Sequence, residues 1–435
     1  MPARKMHLVA YLKSSPTASY AGGWRDPAAP LNDLFDPARY EHIARMLEAA
    51  RFTAAFFADG MGVPDIYRNS YADYLGRGGQ MTLLDPLMLL PLMARATRHL
   101  GLGTTLSTTF NQPYPLARIL ASFDHISAGR ACWNAVTSAN NYESRNFGIA
   151  EMPAKDSRYD RADEVMEACC ALWESWEPDA LVLDREAGIF ADTAKVHRAD
   201  YQGRFVSTRG PLSVPRSPQV RPVILQAGSS PRGRDFAARW SEMIFATQAT
   251  KQDCRTFKED MLRRFVAIRR PEEECVVLPT ISVVLGETDA IAREKADFLD
   301  SRVDPELVIA SHSSLLGVDL SNIETPEDAA IGAGNQGVQG SLDRMAQTAR
   351  AQGISFAQAV RKPRGLVAGT AATIADIMED WFASGACDGF VLPPTTFPGT
   401  YEDVARLLTP ELQRRGLLRR DYAGRTLREN LKNAG

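Results

Sequence analysis

The chain has 435 residues, 45% hydrophobic and 24% charged, with a formal net charge of -3. That is the make-up of a globular protein with a large core, without the excess of positive charge that a nucleic-acid surface needs. The longest apolar stretch, residues 81–93, is broken by Asp85, Pro86 and Pro91 and falls short of the roughly 20 residues of a membrane span. Six cysteines without C-x-x-C spacing follow an N-terminus with no signal-like apolar run, so the chain reads as cytoplasmic, with reduced thiols.

A first strand is expected at 7–12, followed by a polar, Gly/Pro-rich stretch and a helix over 37–51 with Ile43, Met46, Leu47 and Ala50 on one face. Strands at 54–58, 100–106 and 131–137 alternate with helices at 85–95 and 114–126. A long helix is expected from about 158 to 176, then a hairpin-like excursion over 201–214. Further strands fall at 222–226, 243–247, 276–285 and 389–392. The remaining helices are expected at 234–240, 252–266, 288–302, 340–352 and 371–383.

Eight strand-then-helix units, with strands that are apolar throughout rather than alternating, imply a parallel sheet covered on both faces. Eight such units argue for a closed (β/α)8 TIM barrel, one domain over 1–435 with insertions. The longest insertion follows strand seven, at about 303–340, where Ser311-His312-Ser313-Ser314 and a Gly-rich run through Gly332, Gly334 and Gly337 break the rhythm. It reads as an active-site lid. No G-x-G-x-x-G opens a helix after the first strand, and the six histidines show no metal-ligand spacing, so no metal is expected.

Chemistry on such a barrel sits where strands end. The polar residues there are Asp59, Thr104, Thr105, Asn134, Thr137, Ser229 and Ser230. Gln226-Ala227-Gly228-Ser229-Ser230 is a small-residue turn between a strand and a helix, with Pro231 in the helix's first turn. It offers backbone N–H groups and two hydroxyls at a helix N-terminus, which suits a phosphate; it is equally the form of an ordinary connection. Asp59 reads as a site carboxylate or a helix cap, Asn134 as a site amide or a satisfied core residue.

The run from Ser127-Ala128-Gly129-Arg130 through Trp133-Asn134-Ala135-Val136-Thr137-Ser138, with Asn146-Phe147-Gly148 beyond it, resembles one group of flavin monooxygenases. Arg158-Tyr159-Asp160-Arg161-Ala162-Asp163-Glu164, Trp173-Glu174-Ser175-Trp176, Arg209-Gly210-Pro211-Leu212 and Gly389-Phe390-Val391-Leu392 match it in order. This is the nitrilotriacetate / dibenzothiophene-sulfone monooxygenase group of the bacterial-luciferase-like superfamily. The resemblance implies a barrel that binds reduced FMN supplied in trans by a separate NAD(P)H:flavin reductase, by diffusion. It implies oxygenation of a small organic substrate through a flavin C4a-hydroperoxide, in a homodimer or homotetramer. It places Asp59, Thr105 and Asn134 at the flavin and Tyr159, Ser229 and Ser230 at its phosphate. Lys155 stands where similar proteins often have His, and reads as a phosphate partner or a solvated helix-start residue. His312 lies in the segment that resembles the border of the substrate pocket; it reads as an acid/base or as a solvent-facing lid residue. Tyr11, Trp24, Phe57 and Trp133 are the aromatic candidates for the pocket wall, with core packing as their other role.

Three other readings stay open: a deazaflavin- or flavin-dependent hydride-transfer enzyme on the same fold, a non-redox barrel enzyme acting on a phosphate ester, and a non-catalytic flavin-binding protein. The strand ends offer few cations, so a neutral, partly aromatic or organosulfur/heterocyclic substrate is expected.

Overall fold

Eight parallel strands, β1 (His7–Leu12), β2 (Ala54–Phe57), β3 (Gly101–Ser107), β4 (Ala131–Val136), β5 (Val223–Gln226), β6 (Met243–Ala246), β7 (Val276–Pro279) and β8 (Gly389–Leu392), make one sheet. Its order is β7-β6-β5-β4-β3-β2-β1-β8. A parallel bridge between Thr280 and Val391 brings the two ends together, with Asp388 N donating to Val277 O at 2.9 Å and Ile281 N to Val391 O at 3.0 Å. The result is the (β/α)8 barrel expected from the sequence. This computed structural model describes residues 4–17, 19–248, 250–333, 339–363 and 365–432.

Every residue of β2, β5, β6 and β8 is buried, because each strand packs on the barrel interior on one side and on helices on the other. Val9, Ala54, Phe56, Cys132, Leu225, Phe245, Leu278 and Val391 fill the interior, and Leu427 of the helix Leu427–Lys432 plugs its lower end. The filled interior leaves chemistry to the upper mouth, where the strands end.

The surrounding helices start on local signals. Asp36, Asp85 and Ser230 cap helices Pro37–Ala49, Pro86–Ala96 and Pro231–Trp240, each with proline in the first turn. Thr250, Thr288 and Thr370 cap Lys251–Ala267, Asp289–Ser301 and Ala371–Ala383. Among the described residues no helix is long and apolar enough to cross a membrane, and no group of three or more His, Cys, Asp or Glu is placed to hold a metal ion.

Two expectations change. The seventh strand ends at Pro279 rather than running to 285; Val283–Leu285 instead pairs in parallel with Val367–Gly369 in a separate two-stranded sheet. The insertion after β7 is therefore longer than 303–340 and carries this strand pair as well as helices. Pro305–Leu316 is capped by Asp304, whose carboxylate accepts from Glu306 N at 2.9 Å, and ends at Gly317 in the left-handed region (φ 72). Gly334 and Gly337 lie outside the described residues. The hairpin over 201–214 is present as Tyr201–Gln202 paired with Ser207–Thr208. A second hairpin, Leu181–Asp184 with Ile189–Ala191, went unread because its apolar residues are exposed.

Candidate active site at the barrel mouth

The turn after β5 and the helix Lys155–Trp173 after β4 meet at Tyr159. Ser230 is the N-cap of Pro231–Trp240, its Oγ accepting from Gly233 N at 3.2 Å. The buried Tyr159 phenol hydrogen-bonds with the side chains of Ser230 and Thr137. Burial pushes its pKa up, against those two bonds and the nearby Arg158 and Arg232. Two glycines keep the space open. A Cβ on Gly228 would sit 2.9 Å from the Tyr159 hydroxyl, and one on Gly233 would sit 2.7 Å from it. Ser229 takes part through its backbone, with Arg234 Nε donating to its carbonyl at 2.8 Å. Lys155, half-buried, is one turn before Tyr159 and so on the same helix face.

Asn134 stands on β4 with Cys132, on the interior side. Its Nδ2 donates to Thr105 Oγ1 at 2.8 Å, and Thr105 Oγ1 donates to Phe57 O at 3.0 Å. Thr105 has thus spent its only proton and can offer a ligand only an acceptor. Asn134 Oδ1 is buried and has no hydrogen-bond partner among the described residues. The opening of this strand is structural: Arg130, at the lower end, donates to Ala94 O at 2.8 Å, to Thr97 Oγ1 at 2.8 Å and to Ser127 O at 2.6 Å.

Asp59 turns back on its own loop, its Oδ1 accepting from Gly60 N at 2.8 Å and from the Thr82 hydroxyl at 2.5 Å. Of the aromatic candidates, Tyr11 faces the barrel interior, its ring 5.6 Å from that of Phe56 and its hydroxyl donating to Gln80 Oε1 at 3.4 Å. Trp24 lies in the loop after β1 and donates to Arg77 O at 3.1 Å. Phe57 and Trp133 are not brought to the mouth. Strand alternation turns Phe57 outward into the cluster with Tyr40 and Leu12, and Trp133 into the cluster with Leu120 and Met166, its Nε1 donating to Leu106 O at 2.9 Å. Thr104, registered with both, shares that outer side.

The helix Pro305–Leu316 is latched to the excursion after β2. Tyr67 donates to Glu306 Oε2 at 2.6 Å, Arg77 pairs with Asp304 at 2.6 Å and Arg68 with Glu306 at 3.2 Å. Between this insertion and the barrel lies a cavity of ≈ 880 Å³. His312 lines it opposite Thr247 and Thr280, the first residues beyond β6 and β7, and its Nδ1 lies 2.7 Å from Val360 O.

Three groups here were not singled out from sequence: the buried Lys13 directly after β1, and the half-buried Tyr142 and buried Glu143 on the short helix Asn141–Arg145. Burial raises the Glu143 pKa against N–H bonds from Met61, Ala139 and Asn140, with Asp59 adding to the rise. Burial likewise pushes the Tyr142 phenol up to about 12. Lys13 stands at the parity of Val9 and Tyr11, a signal the sequence did carry.

The residues fit a flavin mononucleotide. A phosphate would meet the hydroxyls of Ser230 and Tyr159 and the N-terminus of Pro231–Trp240 in a cradle that glycines keep open. The unpartnered Asn134 Oδ1 is an acceptor suited to a ring N–H.

The luciferase-like monooxygenase family matches residues 12–387 of the chain. The chain is 40% identical to dibenzothiophene-sulfone monooxygenase of Rhodococcus erythropolis (strain XP), over 98% of this chain and 96% of that protein. It is 37% identical to nitrilotriacetate monooxygenase component A of Aminobacter aminovorans, over 94% and 93%. A solved structure of riboflavin lyase with modified FMN and its substrate riboflavin superposes with a TM-score of 0.87 at 31% identity, covering 99% of this chain and 96% of that one.

Proposed function

The chain belongs to the luciferase-like monooxygenase family, and from that premise we propose that it is the oxygenating component of a two-component system. It takes FMN already reduced by a separate NAD(P)H:flavin reductase, received by diffusion, and oxygenates a small organic substrate. The observation that carries the reading is the joint placement of the Tyr159–Ser230 cradle and the unpartnered Asn134 Oδ1 at one barrel mouth. A relative named as component A of a monooxygenase and a solved relative holding a modified FMN support it.

When bound, reduced FMN supplies the activation of oxygen; the protein supplies binding, orientation and dryness. Ser230, Tyr159 and the helix N-terminus hold the phosphate, with Lys155 on the same side. Asn134, aimed by Thr105, fixes the polar edge of the ring. The latched helix Pro305–Leu316 keeps bulk water from the mouth and sets His312 on the wall of the cavity where substrate enters. The test is oxygen uptake with FMN, NADH and an added flavin reductase, with dibenzothiophene sulfone and nitrilotriacetate as trial substrates. Product formation that needs the reductase supports the reading. Reduced FMN that fails to bind overturns it.

A further inference from the structure

Lys13 is the first residue after β1, and the alternation of the strand sets it on the face of Val9 and Tyr11, which look into the barrel. It is only 7% exposed. Two carboxylates from other elements act on it, Asp59 beyond β2 and Glu143 beyond β4. Neither makes a direct ion pair with it, and each has one oxygen engaged elsewhere. Asp59 Oδ1 accepts from the Thr82 hydroxyl and Gly60 N, and Glu143 Oε1 accepts from Met61 N at 3.1 Å. The ammonium has no hydrogen bond or ion pair among the described residues. Burial lowers the Lys13 pKa, and the two carboxylates raise it.

Position separates this cation from the flavin phosphate. The phosphate cradle is built at the ends of β4 and β5, and β1 lies four strands from β5 around the closed sheet. Lys13 therefore stands on the far side of the mouth, two residues beyond Tyr11. Resting on the monooxygenase reading above, we infer that Lys13 makes this mouth recognise a substrate carrying an acidic group, a carboxylate, sulfonate or sulfinate, which the ammonium pairs while the apolar body lies against Tyr11. This differs from the neutral substrate expected from the sparse strand-end cations. The charge-assisted bond is made only when such a ligand arrives.

The experiment compares wild type, Lys13→Met and Lys13→Arg. Benzenesulfonate and its uncharged counterpart methyl phenyl sulfone are titrated calorimetrically, and reduced FMN is titrated anaerobically and separately. Wild type is expected to prefer the sulfonate by about 10- to 100-fold, the range of a charge-assisted hydrogen bond. Lys13→Met should lose that preference, Lys13→Arg should keep most of it, and reduced-FMN affinity should stay within about twofold in all three. No sulfonate preference in wild type overturns the inference. So does a tenfold loss of reduced-FMN affinity in Lys13→Met with the preference intact, which would assign the lysine to the reduced flavin's own negative charge. Failure of wild type to bind reduced FMN is a different result, and counts against the monooxygenase reading instead.

Discussion

Replacing Ser230 by alanine removes one hydroxyl that serves two purposes, and their sizes can be separated. As N-cap it accepts from Gly233 N at 3.2 Å, and losing such a cap costs about 1 kcal/mol. With an unfolding entropy of about 2.1 cal/mol/K per residue, a chain of 435 residues loses only about 1 °C in midpoint. As a donor to the flavin phosphate the hydroxyl makes a charge-assisted bond, about 1.5–3 kcal/mol, so the Kd for reduced FMN should rise about 10- to 150-fold. Ser230→Gly discriminates further, because glycine costs only a few tenths of a kcal/mol at a cap yet offers no hydroxyl. Both variants should weaken anaerobic binding of reduced FMN alike, by fluorescence titration, while alanine alone lowers the melting midpoint. An unchanged Kd in Ser230→Gly would reduce Ser230 to a helix cap and put the phosphate elsewhere.

The isolated protein with NADH and FMN should form no product; NADH oxidation by the purified chain at the rate of product formation would contradict the two-component reading. His312→Ala should lower product formed per flavin oxidised and raise hydrogen peroxide release while leaving reduced-FMN affinity in place; unaltered coupling would return His312 to a packing role beside Val360. His7 carries the pH dependence of stability. Burial, then Arg419 and Arg4, hold its imidazole well below the ordinary 6.5. Below that pH the unfolded chain binds the proton and the folded chain does not, so stability is lost on acidification, by at most about 1.4 kcal/mol per pH unit. Urea titrations from pH 8 to 5 should show a flatter slope in His7→Gln, and an identical slope would exonerate the histidine.

Most of the barrel is legible in the sequence because its strands are buried on both faces and so read as short apolar runs bounded by turns. The seventh is the exception for a physical reason. Residues 283–285 are as apolar as a barrel strand because they are buried against Val367–Gly369, and composition does not say which partner a strand has. The helix Pro305–Leu316 was hidden by Ser311, His312, Ser313 and Ser314, weak helix formers. Two of these serines donate back to Leu307 O and Ile309 O, four residues earlier. At the site, the flavin-side residues stand out as polar groups at strand ends. Parity was the unused signal. With Asn134 facing inward, Trp133 must face the helices, and the same count along β1 carries Lys13 to the inside.

The two sides of the mouth differ in how their polar groups are satisfied, and that difference bears on what each binds. On the side of β3 to β5 the hydroxyls, the buried phenol and the turn N–H groups bond one another, and Asn134 Oδ1 is left as an unanswered acceptor. On the side of β1 and β2 the carboxylates accept from backbone and hydroxyl donors, and the Lys13 ammonium has their field but no direct hydrogen bond among the described residues. Buried polar groups are almost always paired, and leaving one unpaired costs about 1–3 kcal/mol, more for a charge. Such costs persist in a fold where a ligand cancels them. An acceptor on one side suits a ligand N–H, and a cation on the other suits an anion. Under the proposed function, with the flavin phosphate at Ser230, the mouth would hold two molecules at once, one anchored through β4 and β5 and one drawn to β1. Exchanging Lys13 for methionine should alter which substrates are taken without loosening the hold on the flavin.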